Sequence, residues 1–424
     1  MKSKLSLFSK TFAPIAYAAL LATAINAAEP ADAKPVSPVV VSSGDLEFID
    51  TSFENASPLW YETGEDGIIH LNLVYDHERN APNRAAGHFH FLIHAKTGSK
   101  LTFEFENLLN IYNGSKGSVA RELTAVVVSE DGKHWKPLEL ESRPLTRVLM
   151  HVEMPGPKLY VARVEPYRLS DLDQMLASIR ENPLVGITAI GKTVEGRQLE
   201  IVRVGSPTAP HRVFMRARAH PWESGGSWVV QGLIQRLLKN DEEAKQFLKR
   251  YCLYVLPMTN KDGVAHGRTR FNVQGKDLNR NWDQPIDPQL APENEALDKW
   301  LKDMIKQGLK PQLGLEMHND GRGLLHISNA PPAIADRYAA NTRTFEELLR
   351  KHTWFTEGSK PPGVKNTGNL ADGLLERYNI DAMVHELNCN WIEGLKEHPS
   401  SENWQLYGAQ LAKVFYEYFE AVKP

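Results

Sequence analysis

The chain has 424 residues, of which 42% are hydrophobic and 24% charged, and a formal net charge of −3. That length suits roughly two domains with cores of their own, and the slightly acidic balance gives no hint of a nucleic-acid or anionic-membrane partner. With only two cysteines, Cys252 and Cys389, no disulfide framework can carry the fold, and two unpaired thiols are expected.

Residues 1–28 read as a secretory signal. Lys2, Lys4 and Lys10 precede a mostly apolar run over 11–25, and Asn26-Ala27-Ala28 ends in small residues. A membrane span needs about 20 apolar residues, and this run is shorter; an uncleaved anchor is the alternative. Residues 29–38 are rich in Ala and Pro and read as a tether. The mature chain is expected to be secreted or periplasmic, with no nucleic-acid partner and no stable membrane partner.

From 39 to 165 the pattern is short alternating runs between turn signals. His70 to Leu73 alternates, Leu101-Thr102-Phe103-Glu104-Phe105 more cleanly, and Asp131-Gly132 separates the runs 125–128 and 135–140 as a hairpin turn would. Strands at such intervals predict a β-sandwich domain. On 88–94 the period of two puts His88, His90 and His94 on one strand face, where three imidazoles could bind a metal. No carboxylate lies within that strand, so a solvated face opposite Phe89, Phe91 and Ile93 is the favoured expectation. Asn55-Ala56-Ser57 and Asn113-Gly114-Ser115 match the glycosylation pattern, which is common by chance.

After Pro166-Tyr167 the character changes. Ser170 suits the N-cap of a helix running to about Ile179. Strand-like runs at 199–204, 212–217, 253–256, 312–317 and 382–385 then alternate with helix-like runs at 226–238, 292–305, 333–349, 370–378 and 404–419. Residues 166–424 are therefore expected to form an α/β domain, a mixed central sheet flanked by helices.

Polar residues gather at the ends of these strands, where open α/β sheets build their sites. His220 and Glu223 follow 212–217, in Arg216-Ala217-Arg218-Ala219-His220-Pro221-Trp222-Glu223. Arg270, Asp277, Asn279 and Arg280 follow 253–256, His318 follows 312–317, and Glu386 follows 382–385. Two imidazoles and a carboxylate can hold one Zn²⁺ with a position left open. Glu386 is the candidate general base, Arg270 can stabilise an oxyanion, and Arg280 with Asn279 can grip a substrate carboxylate. Asp277 can orient a ligating imidazole from behind. Singly, each of these has a bland reading as a turn or loop residue; the joint pattern is stronger.

His220-Pro221-Trp222-Glu223, Asn260-x-Asp262-Gly263-Val264, Arg270, Asp277-Leu278-Asn279-Arg280-Asn281, His318 and Glu386 together resemble the zinc metallocarboxypeptidases, in particular the cytosolic-carboxypeptidase branch. The resemblance runs from about Pro166 onward, and the β-rich half is similar to that branch's N-terminal domain. It implies a carboxypeptidase-like fold, with one zinc on His220, Glu223 and His318, and Arg270 polarising the scissile carbonyl. It further implies that Asn279 and Arg280 hold the terminal carboxylate of a peptide substrate, with Glu386 as base and acid. Three departures stand out: Trp222 replaces a usual Gly, no Arg occurs in 368–372, and no Tyr lies between Tyr338 and Tyr378 for a substrate cap. The leading expectation is a zinc exopeptidase trimming peptide C-termini. A zinc amidohydrolase of small N-acyl amino acids is the second, and a non-catalytic glycan- or peptide-binding protein the third.

Overall fold

Alternation builds the first half. In Ile69–Leu73 the apolar Ile69, Leu71 and Leu73 are buried while His70 and Asn72 are half-buried, as a strand with one covered face requires. The computed structural model describes residues 43–363 and 365–422; the expected signal at 1–28 and tether at 29–38 lie outside the described residues. Two five-stranded sheets face each other. One runs Leu46–Asp50, His90–Ala95, Lys158–Ala162, Ala125–Ser129, Lys136–Glu139; the other runs Glu141–Arg143, Arg147–Glu153, Lys100–Phe105, Ile69–Leu73, Leu59–Thr63. Phe89, Phe91, Ile93, Phe103, Phe105 and Val161 fill the space between them. The Asp131-Gly132 hairpin forms as expected: Gly132 takes φ 70°, and Asp131 Oδ1 accepts the amides of Lys133 (2.8 Å) and His134 (2.9 Å). A smaller sheet of Asp76–His77, Arg84–Ala85, Leu109–Tyr112 and Ser115–Ser118 completes the β-rich region.

The second half is a mixed eight-stranded sheet. Its order is Val185–Lys192, Gln198–Val204, Tyr251–Leu256, His211–Ala217, Leu313–Asp320, Asp381–Asn388, Leu325–Ile327, Ser359–Lys360. The central strands pair in parallel and are covered on both faces, which explains their near-continuous apolar runs. In His211–Ala217, Val213, Met215 and Ala217 pack under the helices Gly225–Leu237 and Ser401–Ala421, while Phe214 packs on the other side with Leu297, Leu301 and Leu374. Gly408 lets the helices Gly225–Leu237 and Ser401–Ala421 touch. A Cβ there would stand 1.9 Å from the Val229 carbonyl oxygen, so Gly408→Ala would push them apart at a cost of about 1–3 kcal/mol.

Three details depart from the sequence pattern. The helix Leu169–Ile179 has Arg168, not Ser170, at its N-cap, because Asp171 Oδ2 reaches back to accept the Arg168 amide at 2.7 Å. The strands expected at 312–317 and 382–385 run on as Leu313–Asp320 and Asp381–Asn388, since parallel pairing continues to Asp320↔Asn388. The edge strand Val185–Lys192, whose run is interrupted by Gly186 and Gly191, is an additional antiparallel partner. Cys252 and Cys389 are both unpaired and buried.

Candidate active site

The carboxyl ends of three neighbouring parallel strands supply the site. His211–Ala217 ends in Arg218, whose φ of 58° turns the chain sharply and presents His220 and Glu223 ahead of the helix Gly225–Leu237. Leu313–Asp320 carries Glu316 and His318, two residues apart and so on one face. Asp381–Asn388 sets Glu386 in register beside His318. Asn260 ties the loop after Tyr251–Leu256 to this turn, its amide donating to the Arg218 carbonyl at 2.9 Å. Asp262 instead anchors that loop from behind, accepting from Thr193 Oγ1 (2.7 Å) and the Glu195 amide (2.8 Å).

His220, Glu223 and His318 are buried together, their ligand atoms within 4.8 Å of one another. Glu223 Oε1 lies 2.8 Å from His220 Nδ1, and its Oε2 lies 2.6 Å from His318 Nδ1. The far side of each ring faces a carboxylate: His220 Nε2 is 3.2 Å from Asp277 Oδ1, and His318 Nε2 is 2.9 Å from Glu316 Oε1. A proton on each Nε2, given to that carboxylate, leaves both Nδ1 lone pairs directed at the shared space, the arrangement that orients imidazole ligands on zinc. This donor set fits Zn²⁺. Burial opposes charging of His318, but Glu223 and Glu316 outweigh it and hold the ring well above its ordinary range. Burial likewise opposes ionisation of Asp277, yet Arg270 and His220 hold its carboxyl well below the usual carboxylate range.

These groups open on a cleft of about 430 Å³. Arg270 lines it, with Nε 2.8 Å from Asp277 Oδ2. Arg280 lines it beside Asn279, whose carbonyl accepts Arg280 Nη1 at 2.6 Å. The Asn279 side chain forms part of the floor: its Oδ1 accepts from Arg216 (3.0 Å) and the Leu370 amide (2.9 Å), and its Nδ2 lies 2.9 Å from His318 Nε2. Glu386 keeps its Oε2 shielded and without a hydrogen-bond partner, and burial pushes the carboxyl well above its ordinary range. Trp222 forms part of the wall, with the Arg163 guanidinium 4.2 Å from its ring.

The structure thus gathers His220, Glu223, His318, Glu386, Arg270, Asp277, Asn279 and Arg280 around one cleft, and adds residues the sequence did not flag. Glu316 and Arg216 form a buried ion pair behind His318; the spacing of two between Glu316 and His318 was the available signal. Asp76, from the β-rich region, accepts the amides of Thr269 (2.9 Å), Arg270 (2.7 Å) and Phe271 (3.3 Å) on one oxygen, fixing the loop that carries Arg270. No local signal in the sequence marks that contact. The expected solvated histidine face is a correction. His88 and His90 are buried and His94 half-buried, because Asn55, Phe53 and Trp135 cover the strand: His90 Nδ1 is 3.2 Å from Asn55 Oδ1, and His94 stacks on Phe48 at 4.1 Å. Asn55 is itself buried and donates to the Val264 carbonyl at 2.9 Å, which leaves no room for a glycan. Two further His/carboxylate groups occur among the described residues, His70 with Glu104 and Glu106, and Asp320 with His326 and Glu386. In the first, Arg147 already answers Glu104 at 3.2 Å; the second shares Glu386 with the site above.

Residues 172–326 match the family described as zinc carboxypeptidase. The chain is 31% identical over 162 residues to human cytosolic carboxypeptidase 2, a match covering 36% of this chain and 17% of the human protein. It is 23% identical over 274 residues to an uncharacterized protein of Zymomonas mobilis, 61% of this chain and 68% of that one. Among solved structures it resembles a metallo-carboxypeptidase from Pseudomonas aeruginosa in complex with (2-guanidinoethylmercapto)succinic acid. That match has a TM-score of 0.78 at 22% identity and spans 89% of this chain and all of the other. The fold is carboxypeptidase-like: a mixed α/β sheet flanked by helices, preceded by a β-rich region.

Proposed function

We propose that this chain is a zinc-dependent carboxypeptidase that removes C-terminal residues from peptides. The observation that carries the reading is the buried His220–Glu223–His318 set, backed by Asp277 and Glu316, with the unpartnered Oε2 of Glu386 beside it. The family match over 172–326 and the carboxypeptidase-like fold support a hydrolase of the peptidase class.

Zinc held by His220, Glu223 and His318 supplies a Lewis acid that makes water acidic near neutral pH. The chain's own residues do the rest. Arg280, with the amide of Asn279 beside it, grips the terminal carboxylate of the peptide, and a planar guanidinium suits that two-pronged bond. Arg270, oriented by Asp277, faces the carbonyl of the bond to be cut and stabilises the negative charge that grows on its oxygen. Glu386 takes the proton of the attacking water and delivers it to the departing amine. The setting proposed is outside the cytoplasm, on the character of residues 1–28; recovery of the protein with cytoplasmic markers after cell fractionation would refute it.

The test is mass spectrometry of a peptide pool that includes cell-wall peptides and N-acyl amino acids, incubated with the zinc-loaded chain and with Glu386→Gln. Loss of single C-terminal residues is expected. Glu386→Gln should keep its zinc and lose about 10²–10⁴-fold in turnover. Deacylation alone would favour the amidohydrolase reading, and no product from any substrate would favour a binding protein.

A further inference from the structure

Arg270 and Arg280, two of the arginines that line the cleft, stand against one aromatic ring contributed by the β-rich region. The guanidinium carbon of Arg270 lies 4.9 Å, and that of Arg280 5.3 Å, from the centre of the Tyr112 ring. Two like charges facing one pocket repel each other, and a π face within about 6 Å attracts each of them. The ring therefore favours the inward poise of both side chains while separating their charges.

Tyr112 is well placed to hold that position. It ends the strand Leu109–Tyr112, which pairs along its length with Ser115–Ser118. Asn110, two residues earlier, accepts the Ala86 amide at 2.6 Å and locks the strand to its other neighbour. The tyrosine side chain lines the cleft, yet its hydroxyl oxygen is shielded from solvent and has no hydrogen-bond partner. A shielded hydroxyl left unmatched is costly, and this one lies on the ring that both guanidinium groups contact.

We infer that Tyr112 is a substrate-binding residue supplied by the β-rich region. Its ring keeps Arg270 and Arg280 aimed, and its hydroxyl hydrogen-bonds an oxygen of the substrate's C-terminal residue. The inference rests on the carboxypeptidase reading above. It also gives the β-rich region a direct part in substrate recognition, beyond fixing the Arg270 loop through Asp76. A hydroxyl contact made equally in the bound substrate and in the transition state affects KM rather than kcat, and losing the ring affects both, because Arg270 then loses its poise.

The experiment is steady-state kinetics on a short peptide with a free C-terminus, using wild type, Tyr112→Phe, Tyr112→Ala and Glu386→Gln, with zinc content and Tm recorded for each. Calorimetric binding of the released free amino acid serves as a readout independent of turnover. Tyr112→Phe should raise KM about fivefold with kcat within about twofold and weaken amino-acid binding to the same degree, while Tm rises slightly because an unmatched hydroxyl is removed. Tyr112→Ala should lower kcat/KM by about 100-fold while keeping its zinc. Wild-type KM and wild-type amino-acid binding in Tyr112→Phe would overturn the inference and leave the carboxypeptidase reading intact. A wild-type chain that shortens no peptide would overturn that reading and the inference with it.

Discussion

Two sets of histidines lie at the heart of this molecule, and they behave oppositely. His90 opens a strand of the β-rich region and His88 lies just before it; His220 and His318 sit at the sheet ends of the α/β region, and all four are buried. Burial alone pushes an imidazole toward its neutral form. It takes His88 down to about 3, with Arg218 adding to the effect, and His90 well below its ordinary range. His318 feels the same burial and is nevertheless held high, because Glu223 and Glu316 face it. Imidazoles in a row do not make a metal site; the carboxylates beside and behind them do.

That contrast can be broken most severely at the His220–Glu223–His318 cluster. His318→Ala should lower zinc affinity by well over 100-fold, and Glu316→Gln, which weakens the support behind the ring and takes the counter-charge from buried Arg216, by about 10–100-fold. Competition against a chelator measures both, and wild-type zinc content in His318→Ala would remove it from the ligand set. On the β-rich side, His90→Ala should keep one zinc per chain while losing about 2 kcal/mol of stability, through the cavity left beside Phe53 and the freed Asn55 oxygen. Zinc loss in His90→Ala, read by the same competition, would put the two sets on an equal footing and sink the comparison.

Asp76 sharpens the same point from a carboxylate's side. Burial pushes its carboxyl up from 3.8 to about 6, against the opposing pull of the amides it accepts and of Arg268. Between those two values the folded chain binds a proton that the unfolded chain does not, so this residue's contribution to stability is fullest below the lower value and is lost as pH rises through about 6. Asp76→Asn removes the titration. The stability of wild type minus that of the variant should therefore fall by up to about 2–3 kcal/mol as pH rises from about 4 to about 6. Urea unfolding across that window reads it, and a difference that stays flat or rises would contradict the account.

Much of the site was legible because its chemistry sits at strand ends in chain order. His220, Glu223, His318 and Glu386 each interrupt or end an apolar run, and parallel pairing of adjacent strands brings them together. What escaped was long-range. Asp76 meets the Arg270 loop from nearly two hundred residues away, and Tyr112 reaches Arg270 and Arg280 across the same divide. Neither residue breaks a local pattern, so nothing nearby marks it. The histidine strand misled for a related reason. Alternation tells which residues share a face, but not whether water or another segment of chain covers that face. Ser170 failed as a cap because Asp171 reaches back to the Arg168 amide, so the helix already begins at Leu169.

The most direct test of the central claim offers the zinc-loaded chain one peptide in two forms, with a free C-terminal carboxylate and with that carboxylate amidated. If Arg280 grips the carboxylate while Glu386 and the His220–Glu223–His318 centre cut the adjacent bond, mass spectrometry will show the free form losing its last residue and the amidated form intact. Cleavage of both forms at equal rates, or of neither, would contradict the account.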